Sequence, residues 1–132
     1  MDDRIIDTEL ADELISVCRT VVGDELRSIT YFDEERVEQL YRRSDLDRTA
    51  DLVGFAEQER AGFRSQSAYR NTQLGEYQAT VRMFERGFLT RVIEGEHGVW
   101  VTTDDISIDR FEELSTALKS VLGDVVDSIE AA

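Results

Sequence analysis

The sequence predicts an α+β fold, a single antiparallel sheet flanked by helices. Three observations lead there. Residues 76–103 read as three strands joined by tight turns, and consecutive strands so joined are antiparallel. Residues 27–32 read as another strand, and amphipathic helical stripes stand near both ends of the chain.

In chain order, residues 8–22 come first. Leu10, Leu14, Val17, Cys18 and Val21 recur at helical period, Asp7 or Thr8 can cap the segment, and Gly23 can end it. Cys18 lies on the apolar stripe with no histidine or lysine nearby in sequence, so it reads as a buried, inert thiol. Arg27 to Phe32 (RSITYF) is a strand rich in β-branched and aromatic residues. The next stretch has two readings. Residues 33–36 can turn the chain so that Val37 to Arg43 (VEQLYRR) returns as a hairpin strand. Alternatively Asp33 caps a short helix, because Val37, Leu40 and Tyr41 also stand at helical spacing, and periodicity alone slightly favours this helix.

Asp47 to Phe63 reads as a helix with Leu52, Phe55, Ala56 and Phe63 inward, starting at Asp47 or Thr49. Arg64 to Gly75 is polar and irregular. From Glu76 the pattern is β, with Tyr77, Ala79, Val81 and Met83 alternating with Gln78, Thr80, Arg82 and Phe84. Arg86-Gly87 turns the chain into a strand over 88–94. Gly95 to Gly98 turns it again into Val99–Thr103, with His97 exposed in that turn. Asp109 caps a last helix, whose stripe is Phe111, Leu114, Leu118, Val121, Leu122 and Val125. No linker or low-complexity segment divides the chain, so residues 1–132 form one domain with frayed ends at 1–6 and 127–132.

Charge is the strongest compositional signal. The chain carries 29 acidic and 15 basic residues, a formal net charge of −14, and every basic residue except Lys119 is arginine. An acidic surface with arginine in place of lysine fits a salt-loaded, halophilic cytoplasm, where carboxylate repulsion is screened. Such a surface repels nucleic acid. No apolar run is long enough to span a membrane, and the acidic start Met1-Asp2-Asp3-Arg4 does not resemble a signal peptide. The expected location is the cytoplasm, with neither nucleic acid nor membrane as partner.

Few catalytic parts are present. One cysteine and one histidine exclude an intrachain disulfide, a thiolate zinc cluster and multi-histidine metal sites. Asp45, Asp47, Thr49 and Asp51 imitate a calcium loop, but Ala50 stands at the required glycine and Ala56 at the closing glutamate. Asp104-Asp105 reads as a turn rather than a magnesium pair. Neither nucleotide-loop signature occurs, and there is no nucleophile elbow around His97. The expectation is no enzyme, no cofactor and no metal. The candidate ligand or partner residues are Arg42, Arg43, Arg64, Tyr69, Arg70 and Trp100, since arginines and aromatics concentrate at interfaces. The competing reading pairs these arginines with the abundant carboxylates.

Three segments carry a resemblance. Ser28-Ile29-Thr30-Tyr31-Phe32-Asp33, Leu40-Tyr41-Arg42-Arg43-Ser44-Asp45-Leu46 and Ala79-Thr80-Val81-Arg82-Met83-Phe84, with Ser67-Ala68-Tyr69 between, resemble a family of small acidic haloarchaeal domains. That family carries a YD…LYxRxDL hairpin, an SAY element and a TVRxF strand. Phe32 stands where its pattern has tyrosine. The resemblance spans roughly residues 10 to 122 and selects the hairpin for Val37–Arg43. The element order is then α-β-β-α-β-β-β-α with about five strands, which resembles the roadblock/profilin-like architecture. Domains of that architecture characteristically dimerise and act as scaffolds or regulators of small GTPases. The resemblance therefore implies a non-enzymatic regulatory module, homodimeric through an edge strand or through the first or last helix, with a further protein partner. A small-molecule or anion-sensing domain is the alternative reading. An enzyme built on a carboxylate pair in a cleft is the third.

Overall fold

The computed structural model describes residues 8–47, 59, 61, 62 and 73–131. The expected frayed start (1–6), most of the helix expected over Asp47–Phe63, and Arg64, Tyr69 and Arg70 lie outside the described residues. Glu59 and Gly62 are helical.

Helix α1 spans Thr8–Val22, and Gly23 ends it at φ +61°, a conformation that costs glycine nothing. A single 3-10 turn, Gly23–Glu25, leads into β1 (Leu26–Phe32). Strand β2 (Val37–Arg42) returns antiparallel to β1, so the hairpin is the correct reading of this stretch and the local helical spacing is overridden. Leu40 is the extra residue of a bulge in that pairing, which is why Leu40 and Tyr41 both pack toward the helices and imitate a helical stripe.

Strand β3 (Thr80–Phe84) is shorter than the β pattern from Glu76. It turns through Glu85 and Arg86 into β4 (Gly87–Glu94), and Gly95-Glu96 turns β4 into β5 (His97–Thr103). Helix α2 spans Ile108–Ala131, through most of the tail expected to fray. The Ser107 carbonyl accepts from the backbone N–H groups of Arg110 and Phe111, so Asp109 sits inside the first turn instead of capping it.

These strands form one antiparallel five-stranded sheet in the order β2-β1-β5-β4-β3. One face buries Ile29, Tyr31, Val92, Val99 and Val101 against Leu14 and Cys18 of α1 and Leu114, Leu118 and Leu122 of α2. Each fully buried aliphatic side chain contributes about 1.5–3 kcal/mol. The Phe88 and Phe111 rings meet edge to face at 4.6 Å, fixing α2 over β4. Burial pushes the Cys18 thiol pKa up to about 12, so it stays protonated. The opposite face carries a second cluster of Phe32, Leu89, Ile93 and Trp100.

The β1–β2 turn is held by Asp33. Its carboxylate accepts from the backbone N–H groups of Glu35 and Arg36, at 2.8 and 2.6 Å, and from Arg36 Nε at 3.1 Å. Burial raises the acid's pKa, but these donors outweigh it and hold Asp33 below the usual carboxylate range. A depressed folded-state value means stability present above the unfolded value of about 3.9 and lost as pH falls through the folded one. Asp33→Asn removes that titration. Thermal melting followed from pH 6 to pH 2 is expected to fall more steeply for the parent chain than for this variant.

Candidate functional site

A sheet in this order has two edges, and the sequence finishes them differently. The β2 edge is blunted. All six residues of β2 are half-buried, and the bulge at Leu40 interrupts the ladder. The Arg19 guanidinium lies 5.8 Å from the Tyr41 ring centroid and donates to its hydroxyl at 3.1 Å. Just past the strand, Arg43 donates to Asp45 at 2.6 Å, to Asp104 at 2.7 Å and to the Asp24 carbonyl at 3.0 Å. Arg27 joins Asp104 from β1 at 3.7 Å. Hydrogen bonding to Arg43 holds the Asp45 carboxyl below its ordinary value.

The β3 edge is open. Val81, Met83 and Phe84 are 43%, 79% and 50% exposed, and Leu74, in the approach to the strand, is 98% exposed. No described strand lies outside β3. The closing pair of a two-residue hairpin turn is hydrogen-bonded, and here that pair is Phe84 and Gly87. The backbone groups of Thr80, Arg82 and Phe84 therefore point inward to β4. Those of Val81 and Met83 point away from the sheet. An exposed apolar edge whose outward backbone donors and acceptors meet no described strand is a template for another strand.

Beneath this edge lies a buried ionic node. Glu59, 1% exposed, receives Arg91 Nη1 at 3.1 Å and Arg82 Nε at 2.7 Å. Arg91 is itself only 5% exposed, and its other terminal nitrogen donates to Thr80 Oγ1 at 2.8 Å. Gly62 lies flat against that guanidinium, where a Cβ would stand 2.2 Å from Nη1. No sequence signal marks this node, because Glu59 and Arg91 each look like one more surface charge.

Of the residues singled out by sequence, Arg42, Arg43 and Trp100 are described, and these do not converge on one site. Trp100 is fully buried, its ring 5.2 Å from that of Phe32, which removes it from any outer surface. Arg43 is held by acids, as the competing reading expects. Arg42, on β2 opposite Ser28, has a buried Nε without a partner. His97 is not a free turn residue. It begins β5, half-buried, with Nδ1 2.5 Å from the Tyr31 hydroxyl. An open cleft lies between Glu25, Asp105, Ile106, Ser107 and Arg110, and the Arg110 guanidinium there is taken by Glu25. No helix among the described residues is long and apolar enough to cross a membrane.

A family model described as Domain of unknown function (DUF7522) matches residues 12–123. No curated protein matches the chain in sequence. Among solved structures, the gliding protein MglB of Thermus thermophilus superposes with a TM-score of 0.61 at 16% identity, over 92% of this chain and 96% of that one. A structure of MglB with a tetrameric arrangement gives 0.58 at 15%, over 92% and 98%. MglB of Myxococcus xanthus gives 0.56 at 14%, over 92% and 96%. At these identities the likeness shows the fold, which is roadblock-like as the element order implied.

Proposed function

The chain belongs to the family described as Domain of unknown function (DUF7522), and from that premise we propose that it is a non-enzymatic interaction module that pairs with a second copy of itself through β3. The open, apolar β3 edge carries this reading. A twofold pairing there would join two five-stranded sheets into one and cover the exposed Val81 and Met83. The blunted β2 edge leaves β3 as the edge suited to pairing. The tetrameric arrangement described for one MglB structure is in keeping with self-association in this fold. Regulation of a protein partner by the paired module, as in other roadblock-like domains, and residence in a salt-rich cytoplasm complete the proposal.

The test is light scattering after size exclusion in about 2 M KCl, where the repulsion between chains of net charge −14 is screened. The parent chain is expected to run as a dimer. Met83→Pro is expected to run as a monomer with little change in melting. Its N–H points outward, so proline there removes no bond to β4 and is tolerated at an edge. A monomeric parent chain, or an undisturbed Met83→Pro dimer, refutes pairing through β3.

A further inference from the structure

We infer that β3 pairs with its copy in a register centred on Arg82, and that Glu59 makes this register tolerable by holding the Arg82 guanidinium over its own sheet. The inference rests on the self-pairing proposed above and adds which residues meet.

The strand spans Thr80–Phe84, so Arg82 is its midpoint. Its outward backbone groups belong to Val81 and Met83, one residue either side. A twofold antiparallel pairing that satisfies all of them sets Val81 of one copy against Met83 of the other, twice. Arg82 then falls opposite Arg82 of the second copy as a non-hydrogen-bonded pair, the closer kind, with Cα atoms about 4.5 Å apart. Centring on Val81 or on Met83 instead satisfies fewer of these groups within the strand. The side chains agree with the central register, since Val81 and Met83 both lie toward the α1/α2 face and are both apolar.

Like charges directly opposite one another destabilise a strand pair. Two bare arginines on the axis would therefore oppose the register that the backbone favours. Arg82 is not bare. Its Nε lies 2.7 Å from Glu59 Oε2, and Glu59 is anchored from beneath by Arg91. Each copy therefore brings a carboxylate, shared with Arg91, toward the axis.

Cysteine cross-linking reads the register directly, because non-hydrogen-bonded pairs bring Cβ atoms within about 4.5–5.5 Å. The native Cys18 is buried and does not interfere. Under mild oxidation Arg82→Cys is expected to form a covalent dimer. Val81→Cys and Met83→Cys are each expected to stay uncrosslinked alone and to cross-link when the two proteins are mixed. Arg82→Glu, which sets carboxylates against each other on the axis and beside Glu59, is expected to weaken dimerisation about tenfold or more, while Arg82→Gln leaves it intact. Self-cross-linking at 81 or 83, or an Arg82→Glu chain that dimerises like the parent, overturns the register while leaving β3 pairing standing. Failure of the parent chain to dimerise overturns the underlying reading instead.

Discussion

Replacing Glu59 with leucine is expected to destabilise the fold by about 3–5 kcal/mol, the range seen when one partner of a buried ion pair is removed. Glu59 is 1% exposed and receives both Arg91 and Arg82. Without it the Arg91 guanidinium, 5% exposed, is left among Tyr77, Thr80 and Gly62 with no counter-ion among the described residues. Pairing Glu59→Leu with Arg91→Met is expected to recover much of the loss, since apolar replacement of a whole buried pair is often neutral or better. Chemical denaturation of the two single variants and the double variant, all in one high-salt buffer, measures the coupling. A loss below about 1 kcal/mol for Glu59→Leu, the range of exposed pairs, would show that the node is not buried as described.

Gly98→Ala is expected to cost about 1–3 kcal/mol, the usual penalty for overpacking a filled core. Gly98 faces Phe32 across the β1–β5 ladder, and a Cβ at Gly98 would stand 2.4 Å from Phe32 Cζ. The ring cannot step aside. It is fully buried and packs against Trp100 at 5.2 Å. Phe32→Leu makes room at the cost of a cavity, so the double variant Phe32→Leu/Gly98→Ala is expected to lose less than the two single losses summed. Additive losses would mean that Phe32 and Gly98 do not share the space.

Most of the fold was legible in the residues. The stripes of α1 and α2, the strands around Ile29, Val92 and Val101, and the glycine stop at Gly23 all express local periodicity or backbone freedom. Residues 37–43 were not decided locally. Their side chains satisfy a helical pattern slightly better than a strand pattern, because the bulge at Leu40 breaks the strand's alternation. Resemblance to a hairpin motif chose correctly where periodicity leaned to the helix.

The candidate site was much less legible. Arginine and tryptophan concentrate at interfaces, yet here Trp100 is core and Arg43 an ionic clamp on Asp45 and Asp104. Val81 and Met83 read as an ordinary alternating strand, and a strand's pattern does not say whether anything will lie beside it.

The sequence by itself determined the class of fold, the identity of α1 and α2 and the acidity of the chain, because these follow from near-neighbour patterning and from counting. Only the tertiary structure decided that β3 lies outermost with Val81 and Met83 uncovered, and that Glu59 is buried between two arginines. Both depend on strand order and on contacts across 23 and 32 residues of chain. Such separations leave no period in the sequence, since the partners meet only after the sheet has closed.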